Sequence, residues 1–455
     1  MPVTAVLDVG KTNVKLVIFA GARVLWQRSV PNAPLPGPPY PHADVELVWR
    51  FALEALREAA AACSVDALVV TTHGASAALV DDEGLVLPVM DYEFAGLDAM
   101  EPDYAPFRPP FAQTLSPPIS GGLNYGKQVF YQETRHPQAF ARARHLLMYP
   151  QYYAWRFTGI ARNEVTSLGS HGDAWLPREG RPSSLVERRG WQRLLPPVVP
   201  AFSVIGPVKP EIAAATGLRP DVRVFAGAHD SNASILPHLL TIEPPFTVVS
   251  TGTWVVIMAV GASTDGLDPK RDSYSNVDVL GRPLPTAKFM GGREFAVILD
   301  GAPPQADAED LAAVLAAGAM ILPAFVPNGG PFEGRHGRIE GTLPDRPGAR
   351  AAIATLYAAL VTDFQLDVLG AARGPLPVEG SFAANPLYCA VLAALRPGQP
   401  VLLALDTAGT AFGASLLATW PQVPARPPLA EAAPLADAQA LLRYRARWRA
   451  AVAGA

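Results

Sequence analysis

Cysteine is scarce in this sequence of 455 residues, which contains Cys63 and Cys389 and no others. The two lie far apart and lack the spacing of metal ligands, so the sequence predicts neither a disulfide framework nor a zinc site. An excess of one charge is also absent, because 37 Lys and Arg residues stand against 41 Asp and Glu residues. No nucleic-acid partner is therefore expected, and the cysteine content favours a reducing, cytoplasmic location.

Long uninterrupted hydrophobic runs are missing as well. The longest uncharged stretch, Pro244 to Thr264, is divided by Pro, Ser, Thr and Gly residues. It is typical of two strands joined by a tight turn rather than of a membrane span. The start of the chain, Met1 to Asp8, has the pattern of a strand and not that of a secretory signal. We expect no membrane partner.

Hydrophobic residues, in contrast, are plentiful at 49%. A chain of this length exceeds one ordinary core, so two domains are expected. The Pro-containing segment HLLTIEPPF suggests a boundary, which gives predicted domains 1-243 and 244-455. Surface loops are predicted at Gly301 to Ala308 and at Pro421 to Pro434.

The first 74 residues follow the order strand, strand, strand, helix, strand. Residues Ala5 to Val30 alternate apolar and polar side chains over three short segments, which indicates a meander. Helical spacing begins after Asp44, a suitable N-cap, and ALVVTTHG at 67–74 resembles a buried strand. Because a strand follows Gly10-Lys11-Thr12, neither a dinucleotide-binding turn nor a Walker phosphate loop fits, since both lead into a helix.

A strand-turn-strand hairpin remains, and its turn amides could face phosphate. The segment FTVVSTGTWVVIM at 246–258 repeats this pattern about half a chain later. The repetition predicts a duplicated domain.

Five segments in order resemble the FGGY family of carbohydrate kinases, with a lean towards kinases of deoxy-ketoses such as rhamnulose and fuculose. They are LDVGKTNVK at 7–15, MYPQYYAWRFTG at 148–159 with NEVTS at 163–167, FAGAHDSNAS at 225–234, STGTW at 250–254 and EGSFAANPLY at 379–388. Two departures are Gln151, where the family has a lysine, and Ser381-Phe382, which interrupt a glycine run.

The resemblance implies an α/β fold of two ribonuclease H-like (actin-like ATPase) domains with an active-site cleft between them. The domain 1-243 would bind sugar and carry the catalytic base, and the domain 244-455 would bind nucleotide. ATP, Mg²⁺ and a small sugar of the rhamnulose, fuculose, xylulose or ribulose type are the implied ligands. The sequence leaves open whether the chain forms a homodimer.

Asp230 is the predicted catalytic base, because it occupies the position of the family's catalytic aspartate and a sugar hydroxyl must lose a proton as it attacks phosphorus. An aspartate that caps a turn is the alternative. Asp8, at the end of the first strand, is the predicted magnesium ligand, or otherwise a strand-terminal aspartate.

The predicted ATP and phosphate ligands lie in the two hairpin turns and in EGSFAANPLY at 379–388, which the resemblance implies is the adenosine segment. Alternatives are a solvated strand face for Lys15, an ordinary loop for the triplet around Gly292 and a helix start for Asn385. The full set is Gly10, Lys11, Thr12, Asn13, Lys15, Thr251, Gly252, Thr253, Gly292, Gly380, Ser381 and Asn385.

Sugar ligands are predicted near the ends of two apolar runs and beside the base. They are His73, Gly74, Asp91, Glu93, His229 and Asp230. A histidine such as His73 is alternatively a satisfied core residue. Asn124, Gln128 and His171 are further polar candidates, and Trp155 is expected in the core.

Two other functions fit part of this pattern. A non-catalytic regulator that binds sugar and ATP would use the same fold, since actin-like domains also serve other roles. A nucleotide hydrolase would act on water and show no stimulation by sugar. Retention of Asp8, Asp230 and both hairpins favours the kinase.

Overall fold

The computed structural model describes residues 1–327, 329–371, 373–405, 409–425 and 428–453. The chain divides into two compact units. Unit 1 comprises Met1–Thr241, Ser275–Pro283 and Ala408–Arg426, and unit 2 comprises Ile242–Tyr274, Leu284–Thr407 and Pro427–Ala455. The predicted contiguous domains, 1-243 and 244-455, differ from these units because two later segments pack with unit 1.

The main sheet of unit 1 has the strand order β11-β12-β4-β1-β2-β3, with β13 also paired to β4. Its strands are β1 (Val3–Val9), β2 (Asn13–Ala20), β3 (Arg23–Pro31), β4 (Ala67–Thr72), β11 (Val204–Pro207), β12 (Arg223–Phe225) and β13 (Ala228–His229). The first three strands are antiparallel neighbours, which confirms the predicted meander. β4 runs parallel to β1, β12 and β13.

Smaller strands of unit 1 form two-stranded pairs. They are β5 (Ala77–Val80) with β6 (His145–Met148), β7 (Asn163–Glu164) with β10 (Val198–Val199), and β8 (Trp175–Leu176) with β9 (Arg181–Pro182).

The helices of unit 1 cover its sheet and build a helical insertion between β5 and β11. They are α1 (Val45–Ala62), α2 (Glu101–Tyr104), α3 (Phe111–Thr114), α4 (Tyr125–Arg135), α5 (Pro137–Arg142), α6 (Tyr149–Thr158), α7 (Val165–Leu168), α8 (Ser184–Arg188), α9 (Pro210–Thr216), α10 (Asp230–Leu239) and α15 (Gly409–Ser415), with 3₁₀ turns at Ala95–Met100, Trp191–Leu194 and Leu416–Ala418.

Local sequence explains the first helix. The side chain of Asp44 accepts a hydrogen bond from the backbone amide of Leu47, at 2.9 Å, which caps α1 as predicted. Apolar residues at helical spacing, among them Val48, Phe51 and Leu56, are buried against the sheet.

Close packing explains why a segment from the end of the chain belongs to unit 1. A Cβ atom on Gly413 in α15 would lie 1.8 Å from the carbonyl oxygen of Ala233 in α10, so only glycine permits this approach. Gly413 is therefore a packing residue. The first residues of its motif, Thr407 and Ala408, lie outside the described residues.

The sheet of unit 2 has the order β16-β17-β15-β14-β20-β21-β22. The strands are β14 (Phe246–Thr251), β15 (Val255–Val260), β16 (Ser273–Val277), β17 (Pro283–Phe289), β20 (Leu376–Gly380), β21 (Val401–Ala404) and β22 (Ala430–Glu431), and a separate pair joins β18 (Met320–Leu322) with β19 (Arg338–Glu340). The chain leaves unit 2 after Tyr274 and returns at Leu284.

Three strands of this sheet, β14, β15 and β17, are antiparallel, and β20 and β21 continue parallel to β14. The meander β1-β2-β3 followed by β4 and β12 has the same arrangement in unit 1, which supports the predicted duplication. The two strands within Pro244 to Thr264 are also confirmed.

The helices of unit 2 are α11 (Gly291–Leu299), α12 (Ala308–Ala317), α13 (Ala349–Val368), α14 (Pro386–Leu395) and α16 (Gln439–Ala453), with a 3₁₀ turn at Pro269–Arg271. Among the described helices, α13 has the length and composition to cross a membrane, yet 83% of the apolar window is buried within the protein. A buried core helix has the same composition.

Candidate active site

The parallel strands β1, β4 and β13 end at one edge of the unit 1 sheet. Asp8 of β1 is in register with Thr71 of β4, and His229 of β13 is in register with Thr72. His73 directly follows β4, and Asp230 begins α10. Topology thus brings Asp8, His73, His229 and Asp230 together at the sheet edge where α/β proteins carry their ligand sites.

Asp230 is held as a carboxylate by several donors. Its Oδ1 atom accepts a hydrogen bond from the backbone amide of Ser231 at 2.6 Å and lies 3.1 Å from His229 Nε2. Burial alone would raise the pKa of Asp230, but His229, His73 and the Ser231 amide outweigh it and bring the pKa below the usual range. The start of α10 favours the same negative charge.

Contacts with three neighbouring residues hold His229 in place. Its backbone amide donates to Thr166 Oγ1 at 3.0 Å, and its ring lies edge-on to His171 with centroids 5.4 Å apart. The Nδ1 atom lies 3.4 Å from Asn232 Nδ2. The other ring nitrogen, Nε2, faces the Asp230 carboxylate.

The pKa of Asp8 is shifted in the opposite direction from that of Asp230. Burial, with a contribution from the charge of Asp230, raises the pKa of Asp8 to about 7, although Lys15 opposes this. A cation beside the two carboxylates would offset both causes, and Mg²⁺ uses one or two protein carboxylates together with water and phosphate oxygens. The oxygen ligands at this site therefore fit the predicted magnesium ion.

His73 and Gly74 lie in the same cluster. Burial lowers the pKa of His73, and its Nδ1 atom is 3.0 Å from the carbonyl oxygen of Gly74. A Cβ atom on Gly74 would lie 2.6 Å from His229 Nε2 and 2.8 Å from His171 Cδ2. Glycine is thus required here by the two histidine rings.

Part of the first hairpin turn is hydrogen-bonded within the protein, and part of it is exposed. The amide of Gly10 donates to the carbonyl of Asn13 at 2.9 Å, and Thr12 and Asn13 are exposed at the tip. Lys15 is also exposed, opposite Asp8 across the two strands.

Lys11 points elsewhere. Its ammonium group pairs with Asp91 and lies 3.3 Å from Glu93 Oε2, so a predicted phosphate ligand and two predicted sugar ligands form one cluster.

In unit 2, the second hairpin turn meets the adenosine segment. Thr251 Oγ1 donates to the carbonyl of Glu379 at 2.5 Å and accepts from the amide of Phe382 at 2.8 Å. The Ser381 amide donates to the Thr251 carbonyl at 3.0 Å. Gly380 has φ +81°, and a Cβ atom there would lie 1.8 Å from the Thr251 carbonyl oxygen. Thr251, Gly380 and Ser381 therefore form one tight corner.

Other predicted nucleotide ligands lie around this corner or next to it. A Cβ atom on Gly292 would lie 2.1 Å from the carbonyl oxygen of Gly252, so the first turn of α11 sits against the hairpin turn, and Thr253 is exposed at its tip. The triplet around Gly292 is a helix start, not the alternative loop. Asn385 caps α14, since its Oδ1 accepts from the Tyr388 amide at 3.1 Å.

Three buried polar residues that are not among the predicted site residues support the segment from Ala226 to His229. Thr166 Oγ1 donates to Glu164 Oε2 at 2.5 Å while it accepts from His229. Burial raises the pKa of Glu164 to about 8 despite these hydrogen bonds. Gln151 Nε2 donates to the carbonyl of Ala226 at 2.9 Å. All three residues belong to the segments NEVTS and YPQYY. The sequence pattern could not predict that these segments lie next to His229.

Lys288 of β17 lies next to the second hairpin turn, with its ammonium group 5.2 Å from the centroid of the Trp254 ring. A lysine within a strand ordinarily indicates a solvated face, so this position could not be predicted from the sequence.

Two of the further sugar candidates, Asn124 and Gln128, form hydrogen bonds within the protein. Asn124 caps α4 and donates to buried Asp173 at 2.6 Å, and Gln128 donates to the carbonyl of Ala75 at 2.6 Å. Trp155 is only partly buried, because it lines an open groove of about 650 Å³ that also contains Trp49 and Arg156.

The chain has clear relatives. Residues 243–427 match the model of the carbohydrate kinase FGGY C-terminal domain. A solved carbohydrate kinase from Novosphingobium aromaticivorans is 38% identical over 100% of this chain and 99% of that chain, with a TM-score of 0.92. A solved xylulose kinase from Rhodospirillum rubrum has a TM-score of 0.80 at 21% identity, covers 100% of this chain and 98% of that one, and supports the fold alone.

A curated relative, the L-fuculokinase of Escherichia coli (strain K12), is 25% identical over 285 residues, or 58% of this chain. The match spans 57% of the length of that relative. The fold is that of a two-domain, actin-like carbohydrate kinase. The chain belongs to the FGGY family of carbohydrate kinases, as its motifs indicated.

Proposed function

We propose that the protein transfers the γ-phosphate of ATP to a hydroxyl group of a small sugar, a ketose of the rhamnulose, fuculose, xylulose or ribulose type. The observation that carries the proposal is the ionised Asp230 beside Asp8, His73 and His229, in a member of a carbohydrate kinase family. The curated relative named as an L-fuculokinase supports a ketose as the acceptor.

Asp230 is the proposed general base. Its low pKa keeps it ionised at neutral pH, and the hydrogen bond from His229 Nε2 orients the carboxylate. A weak base suffices because the transferring phosphoryl group passes through a loose transition state, so the acceptor proton moves late.

Asp8 is the proposed ligand of Mg²⁺, which when bound neutralises charge on the phosphates of ATP. Burial and the charge of Asp230 raise the pKa of Asp8, and a dication bound next to Asp8 would offset both by stabilising its carboxylate. Binding of the ion should release part of a proton near pH 7.

Nucleotide ligands are proposed in both hairpin turns. The amides and hydroxyls at the exposed tips, those of Thr12, Asn13 and Thr253, would contact phosphates, because turn amides form anion sites without added charge. Gly10, Thr251 and Gly252 would shape the two turns, since the amides of both glycines and the Thr251 hydroxyl already have partners within the protein. Gly292 and Lys15 would flank them. Gly380, Ser381 and Asn385 would contact the adenosine, as glycine lets the backbone approach a flat ring.

The sugar would be held by His73, Asp91, Glu93 and His229, with Gly74 leaving room for the histidine rings. Carboxylates accept hydrogen bonds from neighbouring hydroxyls, and neutral His73 accepts or donates without added charge. A cytoplasmic location, where ATP is available, fits this activity.

The test is sugar-dependent release of ADP with magnesium ATP and a panel of L-fuculose, L-rhamnulose, D-xylulose and D-ribulose. Wild type should show stimulation by at least one ketose, whereas Asp230→Asn should lose at least about 10²-fold in kcat, the usual contribution of a general base. ATP binding by the variant should stay within about twofold of wild type. Asp221→Asn, at an exposed site, is the matched control.

Each alternative has its own outcome. A regulator would bind sugar without ADP release, and a hydrolase would release ADP equally with and without sugar. An active Asp230→Asn variant would refute the assignment of the base.

A further inference from the structure

Lys11 belongs to the first hairpin turn, but its side chain is directed at a different segment. The ammonium group pairs with Asp91, lies 3.3 Å from Glu93 Oε2 and stands 4.5 Å from the centroid of the Tyr92 ring. Three consecutive residues, Asp91, Tyr92 and Glu93, therefore contact a single lysine. We call these three residues the acceptor loop.

The charge of this cluster argues against phosphate binding by Lys11. Two carboxylates stand against one ammonium group, so the cluster carries a net negative charge at neutral pH. The Asp91 side chain is 8% exposed and that of Lys11 is 22% exposed, so water screens the pair only in part. A phosphate group would have to displace or approach these carboxylates at a Coulombic cost.

The acceptor loop connects Lys11 to the base. The Tyr92 ring lies edge-on to the His73 ring with centroids 5.1 Å apart, and His73 interacts electrostatically with Asp230. The loop also depends on Asp91 for its own shape, because Asp91 Oδ1 accepts from the Glu93 amide at 3.1 Å and the Asp91 carbonyl from the Phe94 amide at 3.0 Å.

We infer that Lys11 is a positioning residue for the sugar: it holds the acceptor loop against the first hairpin and thereby sets the affinity for the sugar rather than for ATP. The inference rests on the proposed kinase function, and it replaces the expectation that Lys11 contacts phosphate. The chemistry is a charge-assisted hydrogen bond to a largely buried carboxylate, which is stronger than a neutral one.

The experiment compares Lys11→Met and Lys11→Arg with wild type, using the ketose that gives the highest ADP release. Lys11→Met should raise the KM for the sugar by about tenfold or more and leave the KM for ATP within about twofold. Lys11→Arg keeps the cation and should lie closer to wild type in sugar KM. Lys209→Met is the control for a lost lysine charge in unit 1, since Lys209 pairs only with Glu211 among the contacts described for its side chain.

A second measurement tests the contact itself and needs no activity. Amide hydrogen exchange at Glu93 and Phe94 should be about fivefold faster or more in Lys11→Met, and unchanged in Lys209→Met. Unchanged exchange in Lys11→Met would overturn the inference.

The kinetic outcomes also separate the hypotheses. A rise in the KM for ATP with a constant sugar KM would make Lys11 a phosphate ligand and overturn the inference, as would equal changes in both constants. If wild type releases no ADP with any sugar, the proposed function fails, and the exchange measurement still decides whether Lys11 holds the loop.

Discussion

Replacing Asp8 by asparagine should stabilise the protein while it removes activity. Burial and the charge of Asp230 raise the pKa of Asp8 from 3.8 to about 7. A pKa that is higher by one in the native state than in the unfolded state corresponds to about 1.36 kcal/mol, and the pKa of Asp8 is higher by about three. Ionised Asp8 therefore destabilises the native state by about 4 kcal/mol at pH above 7. An amide of the same shape carries no charge and avoids this cost.

The sign of the pH dependence follows from proton binding. Between pH 4 and 7 the native state retains the Asp8 proton more than the unfolded state does, so the stability of wild type falls as the pH rises through this range. The advantage of Asp8→Asn should therefore grow by about 1.4 kcal/mol per pH unit up to pH 7 and then level off. At pH 4 the two proteins should be nearly equal.

Urea denaturation of both proteins from pH 4 to 9 without Mg²⁺ measures this difference. Added Mg²⁺ at pH 8 should stabilise wild type and not Asp8→Asn, because a ligand stabilises only the state that binds it. Asp98→Asn, a second aspartate of unit 1 outside the site, controls for loss of a carboxylate. If Asp8→Asn is less stable than wild type at pH 8, the account of Asp8 burial is wrong.

Two further substitutions test the support of His229. Gly74→Ala should lower kcat by about 10²-fold, because the new methyl group would displace His229 from Asp230. Gly266→Ala is the control, since the nearest atom would be 3.9 Å from the new Cβ atom. Equal kcat values for the two variants would contradict the predicted crowding at Gly74. Thr166→Val should lower the free energy of unfolding, measured by urea denaturation, by about 1–3 kcal/mol, since it leaves the amide of His229 and the carboxyl of Glu164 without the shared hydroxyl. An unchanged free energy of unfolding would show that this hydroxyl is dispensable.

Much of the architecture could be predicted from the sequence. Alternation of apolar residues predicted β1 to β3 and the hairpin β14-β15, and Asp44 predicted the start of α1, because these features depend on neighbours within a few residues. The order of motifs identified the family. The return of α15 to unit 1 could not be predicted from local pattern, since it depends on the contact of Gly413 with Ala233.

The sequence by itself determined which residues are candidates for chemistry: the carboxylates of Asp8, at the end of an apolar strand, and of Asp230, and the glycines of the turns. Tertiary structure alone decided what each of them touches. Lys11 lies in a turn typical of phosphate binding, yet 80 residues further along the chain Asp91 becomes its partner. Strand pairing sets such distances, and a linear pattern contains no information about which long-range carboxylate is brought nearest to a charged side chain.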